Sequence, residues 1–196
     1  IVAIINAFNL LDILDGLAAG IAFISAATFL FLSLLTANNG FFFVCLMLMA
    51  VMVPFLAFNI SPAKIFMGDT GSMFLGLILS IVSIQISYAP LERPLAVLTP
   101  LLALGLPLYD IGFVSLMRIN KGQSPMLKSR DHFSLRLVSL GFGRKNTTVL
   151  MYLFCLLFSL LALMICNAST RASILMLCVF VAVLTLLSKR ISLSEA

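Results

Sequence analysis

The chain has 196 residues, of which 62% are hydrophobic and 10% charged, with a mean hydropathy of +1.21. Soluble domains carry about a quarter charged residues, so this composition excludes an ordinary water-soluble fold and leaves a polytopic membrane protein. A net charge of +5 would suit nucleic acid, but the basic residues follow membrane topology, and no nucleic-acid partner is expected.

Residues 1–5 are apolar, but Asn6, Asn9, Asp12 and Asp15 follow at once, leaving too little for a span of about 20 residues. The chain therefore reads as starting inside a helix, as the C-terminal part of a longer protein, with 1–196 forming one membrane domain. The four polar residues recur every three positions, so a helix through them would set neighbours on one broad face. Carboxylates at a membrane boundary are costly enough to favour a functional role over mere interfacial polarity.

Apolar runs at 17–35 and 41–58 predict two spans, with turn residues at 36–40 between them. The polar stretch 59–72, NISPAKIFMGDTGS, then interrupts the apolar pattern. Its end, Gly68-Asp69-Thr70-Gly71-Ser72, has the chemistry of a phosphate-binding helix start: glycines admit a ligand to the backbone, and the first N–H groups of the next helix are free. A carboxylate there can share a hard cation such as Mg²⁺ with phosphate oxygens. The competing reading is that Asp69 and Ser72 merely cap the helix.

A span at 73–88 follows, with Gly76, Ser80, Ser83 and Ser87 at spacings that favour close helix packing. Residues 89–94 form a turn, and 95–117 return as a span that Pro100 and Pro107 should kink. Asp110 within it reads as structural, with Arg118 as the nearest cation in sequence. The connection 118–145 holds Arg118, Lys121, Lys128, Arg130, Arg136, Arg144 and Lys145, which makes it cytoplasmic. His132 reads by itself as a solvated loop residue, and its basic neighbours as anchors to anionic lipid. Spans at 147–166 and 172–188 complete an all-α bundle of about six full spans plus the end of one more.

Alternating sides from the basic loop puts loops 6–16, 59–72 and 118–146 on the cytoplasmic face, with ten basic residues inside and only Arg93 and Arg171 outside. All three polar clusters can then share one site. Cys45, Cys155, Cys166 and Cys178 lie in or beside apolar runs without metal or disulfide spacing.

Asn6-Ala-Phe-Asn-Leu-Leu-Asp-Ile-Leu-Asp-Gly-Leu-Ala18, Phe66-Met-Gly-Asp-Thr-Gly-Ser72 and Asp131-His132 with Arg136-Leu137 and Gly141 resemble, in order and spacing, the polyprenyl-phosphate N-acetylhexosamine-1-phosphate transferases. The resemblance implies transfer of a sugar 1-phosphate, GlcNAc-1-phosphate above all, from a UDP-N-acetylhexosamine to polyprenyl phosphate, with release of UMP. It implies a plasma (inner) membrane enzyme of cell-envelope synthesis, using Mg²⁺ or alternatively Mn²⁺. By the same resemblance Asp69 and Asn9 belong to the metal and diphosphate, and His132 to the catalytic set. Asp12 and Asp15 contact the nucleotide sugar, Phe66 stacks on uracil, Asn59 lies at the pocket wall, and Gly68 and Arg136 contact substrate. The departures are Ile13, where the family has glycine, and Ser134 and Leu135, where it has further histidines. The family's paired N-terminal aspartates have no counterpart, so these residues alone are expected not to turn over. A second copy of the chain is a further candidate partner. The alternative from another class is a transporter or anionic-lipid-binding protein, which would place polar sites at the bilayer midplane between related halves.

Overall fold

The computed structural model describes residues 1–36, 39–85, 94–120, 122, 124 and 132–193. Among them every regular element is a helix, as the apolar runs require in a medium that cannot hydrogen-bond to exposed backbone. The elements are α1 (Val2–Leu11), α2 (Leu17–Leu35), α3 (Phe42–Asn59), α4 (Gly68–Gln85), α5 (Thr99–Ala103), α6 (Gly105–Asn120), α7 (Phe133–Ser139), α8 (Arg144–Asn167) and α9 (Thr170–Leu193), with short 3-10 turns at Asn39–Phe41 and Pro94–Leu98. Five of these helices are long and apolar enough to span a membrane, and a sixth span arises if the bent pair Pro94–Ala103 and Gly105–Ile119 is one crossing. The protein is a multi-pass membrane protein.

Helix α2 is the centre. Leu17, Ala19, Ile21, Ala22, Ala26, Phe29 and Leu32 along it are all fully buried, and its small residues let α3 and α8 approach from either side. Helix α9 is the opposite case: only 6% of its membrane window is buried, against 67% for α2, so its surface is left to lipid. Cys45, Cys155 and Cys166 are buried and Cys178 exposed, all as free thiols.

The expected span at 95–117 is broken rather than gently kinked. It bends by 78° at Leu104, between Pro100 at the start of α5 and Pro107 in the first turn of α6, where neither proline has an N–H to give to the helix ladder. The span drawn at 73–88 begins earlier, because Gly68–Ser72 already forms the first turn of α4, as the reading of that motif as a helix start requires. The described part of the long basic connection contains α7 and gives its last residues to α8. Lys121, Lys128, Arg130, Asp131, Ser87, residues 37–38 of the first turn and residues 89–93 of the second lie outside the described residues.

Packing of α1 against α4 positions the site. Gly76 on α4 faces the α1 backbone, where a Cβ would stand 2.7 Å from Ile5 Cα and 2.9 Å from the Ile4 carbonyl oxygen. The two helices meet backbone to backbone, the close approach expected of the small residues on α4.

Candidate active site at the junction of α1 and α4

Asn9, in the last turns of α1, donates from Nδ2 to Asp69 Oδ1 at 3.1 Å and to Ser72 Oγ at 3.3 Å. Both partners lie in the first turn of α4, where unpaired backbone N–H groups and the positive end of the helix dipole favour an anion. Ser72 is fully buried, and its hydroxyl lies 3.1 Å from the Gly68 and Asp69 carbonyls, so it closes the turn from below. Asp69 remains exposed. Gly68 enters the helix at φ +67° with open space where a Cβ would be, which leaves the backbone approachable.

Asp12 is half-buried beside this turn. Burial raises its pKa above the ordinary 3.8, the charge of Asp69 raises it further, and the Gly68 backbone N–H partly offsets both. Asp12 and Asp69 together form an oxygen-only donor set that suits a hard divalent cation. Among the described residues no three His, Cys, Asp or Glu side chains make a closed metal cage, so a cation here would draw on ligand oxygens as well. Asn9 turns its amide nitrogen to Asp69, and contact between its oxygen and a cation requires the amide to turn over.

The helix expected through 6–15 stops early. α1 ends at Leu11, Asp12 is its C-cap, and the chain turns through Gly16 at φ +76°. Asn6 is exposed on α1, while Asp12 and Asp15 sit on the turn that follows it. That turn is clamped at Gly16 on both polar groups: its N–H donates to Asn59 Oδ1 at 3.1 Å, and its carbonyl accepts from Tyr152 Oη–H at 2.6 Å. Asn59, only 4% exposed, also donates from Nδ2 to the Ile65 carbonyl at 2.8 Å, so its amide ties two backbone segments together. Asp15 accepts the Ala63 N–H at 3.1 Å, which fastens the same two segments from the other side. Phe66 follows at 75% exposure, at the edge of an apolar groove of about 440 Å³ between α3 and α4, with its ring face open to stack on a ligand.

A model of glycosyl transferase family 4 matches residues 1–87, the stretch that carries Asn9, Asp12, Asp15, Asn59, Phe66 and Asp69. The chain is 34% identical, over 181 residues and 92% of its length, to a probable undecaprenyl-phosphate N-acetylglucosaminyl 1-phosphate transferase of Bacillus subtilis (strain 168). The chain belongs to glycosyl transferase family 4. It is also similar to a decaprenyl-phosphate N-acetylglucosaminephosphotransferase of Mycobacterium leprae, with 33% identity over 78% of the chain, and to a phospho-N-acetylmuramoyl-pentapeptide-transferase of Staphylococcus carnosus, with 44% identity over 42% of it. It spans 50% of the first relative's length, 43% of the second's and 26% of the third's.

The remaining family motif is built where the start of α7 meets α6. His132 is not a solvated loop residue: it is 2% exposed, immediately before α7, with Nδ1 2.7 Å from Asp110 Oδ2. Asp110 thus pairs with His132 and not with Arg118, which lies two turns away along the same helix and donates to the Ser124 carbonyl. Arg136 is also turned inward, at 3% exposure, with its guanidinium carbon 5.8 Å from the Phe113 ring centroid. Tyr152 and Thr148, whose hydroxyls reach the Gly16 and Asp15 carbonyls, are positioning residues that the sequence reading missed. Their signal was present, since two polar residues four apart in the apolar run of α8 share one helix face.

Proposed function

We propose that the protein transfers N-acetylhexosamine 1-phosphate, GlcNAc-1-phosphate in particular, from a UDP-sugar to a polyprenyl phosphate at the cytoplasmic face of the inner membrane. The observation that carries this reading is the junction of Asn9, Asp12 and Asp69 at the open N-terminus of α4, beside the exposed ring of Phe66. In the proposed reaction a phosphate oxygen of the lipid forms a bond to the β-phosphorus of the UDP-sugar. The bond from that phosphorus to the bridging oxygen breaks, and UMP leaves with the electron pair. Mg²⁺ bound by Asp69 would supply charge neutralisation for the diphosphate. Asn9 and Ser72 hold the Asp69 turn in place, the α4 N–H groups favour the anionic donor, and Phe66 offers a stacking face for its base. The clamp at Gly16 holds Asp12 and Asp15 toward the same corner.

GlcNAc is favoured over the MurNAc-pentapeptide because the two relatives named for N-acetylglucosamine transfer match 92% and 78% of the chain, and the pentapeptide transferase 42%. The transporter reading expects polar sites spread to the bilayer midplane, whereas this corner lies at helix ends. A donor labelled with ³²P in its β-phosphate tests the reaction in membranes containing the protein. The label should move to the lipid fraction when polyprenyl phosphate is added. Label that stays in the aqueous phase while the sugar enters the lipid would overturn the proposal.

A further inference from the structure

The buried pair of Asp110 and His132 comes from separate elements, the middle of α6 and the residue before α7, with side-chain exposures of 1% and 3%. Asp110 makes two contacts: Oδ2 lies 2.7 Å from His132 Nδ1, and Oδ1 accepts the Phe133 N–H at 2.9 Å. A carboxylate is an acceptor only, so an Asp110 that takes one N–H from the backbone takes the other from the ring. The neutral imidazole then carries its lone pair on Nε2, for which the described residues provide no hydrogen-bond partner. The backbone beside the ring is also fixed. Phe133 meets Tyr109, Phe113 and Phe154 edge-on at centroid distances of 5.4, 5.5 and 5.6 Å, and Asp110 removes the freedom left to the imidazole.

We propose that Asp110 is a positioning residue for His132, fixing the tautomer with the proton on Nδ1 so that Nε2 keeps its lone pair as a hydrogen-bond acceptor. The inference rests on the transferase reading above. The competing role for Asp110 is purely architectural: a tie between α6 and the first N–H of α7, indifferent to the ring.

Asp110→Asn separates the two. Its amide oxygen can still accept the Phe133 N–H, but its NH₂ then faces Nδ1, and the ring proton must move to Nε2. His132 is the one histidine of the 196 residues, so ¹⁵N-histidine NMR of the detergent-solubilised protein reads its tautomer directly. The expected result is Nδ1–H in the wild type and Nε2–H in the variant. In the transfer assay kcat should fall roughly 10- to 100-fold, as when a group that orients a functional imidazole is lost, with KM for the nucleotide sugar within about twofold. In a His132→Gln background the same substitution should lower kcat no further, because Asp110 acts through the ring that is gone. A wild-type ring protonated on Nε2, an unchanged tautomer in the variant, or an equal loss of kcat in both backgrounds would each overturn the proposal. Failure of the full-length protein to use UDP-GlcNAc would instead overturn the transferase reading, and the tautomer would still decide the role of Asp110.

Discussion

Replacing Gly76 by alanine tests how the helix packing sets the site. The new Cβ would meet Ile5 Cα at 2.7 Å and the Ile4 carbonyl oxygen at 2.9 Å. These are backbone atoms of α1, so no rotamer change relieves the contact. Carbon atoms rest at about 3.5–4.0 Å, so α1 and α4 must separate by roughly 1 Å. Asn9 lies one turn beyond Ile5 on α1, and Ser72 one turn before Gly76 on α4, with Asp69 three residues before Ser72. A rigid shift of that size lengthens the 3.1 Å and 3.3 Å bonds from Asn9 to Asp69 and Ser72 past hydrogen-bonding distance.

Overpacking of this kind costs about 1–3 kcal/mol of stability. The larger effect should be catalytic, because a displacement of about 1 Å at a positioned group can cost on the order of 100-fold in rate. The assay is kcat/KM for transfer from UDP-GlcNAc to polyprenyl phosphate, read beside the melting temperature. Gly112→Ala is the control, since a Cβ there meets nothing within 4 Å, and it should match the wild type in both. A Gly76→Ala protein with wild-type kcat/KM would refute the claim that α1 and α4 must touch for Asn9 to hold Asp69.

Other perturbations give separate checks. Tyr152→Phe removes the hydroxyl that holds the Gly16 carbonyl and should cost about 1 kcal/mol, seen as a lower melting temperature with a raised KM for the nucleotide sugar. An unchanged KM would separate that clamp from nucleotide binding. Because the folded state raises the Asp12 pKa, the stability tied to its protonated form is complete below pH 3.8 and is lost as pH rises through the raised value. Asp12→Asn should therefore raise the melting temperature at neutral pH without divalent cations, and this advantage should fade as the pH falls toward 3.8. A cysteine introduced at the exposed Lys64 should react with an impermeant maleimide from the cytoplasmic side of sealed vesicles. Labelling from the other side would break the shared face on which the site depends.

Much of the architecture was legible because hydrophobicity alone fixes spans: the run at 17–35 became a helix with those same bounds, closed by Gly16 and Thr36. The corner of Asn9 and Asp69 was legible as chemistry, since the acidic and glycine motifs announce a polar ligand. The reach of α1 was not. A three-residue period points to a helix, but α1 stops at Leu11 with Asp12 as its C-cap, and the bonds of Asn59, Tyr152 and Ala63 that hold the turn after it come from residues at least 43 positions away. The partner of Asp110 was hidden for a related reason. Arg118 was nearest along the chain, whereas α7 folds back to place His132, 22 residues on, against the carboxylate. Periodicity reports which face a residue shares, and long-range pairing depends on packing that local pattern does not encode.

The central claim is that the sugar leaves its nucleotide with one phosphate attached, and that Asp69 supports this step. The direct measurement is the nucleotide released from UDP-GlcNAc by membranes containing the protein, with polyprenyl phosphate present and Mg²⁺ titrated from zero. The account predicts UMP, dependent on both lipid phosphate and Mg²⁺. Asp69→Asn should lower its rate by about 3 kcal/mol of transition-state stabilisation, roughly 100-fold. Release of UDP, or UMP release at the same rate in Asp69→Asn at limiting Mg²⁺, would contradict it.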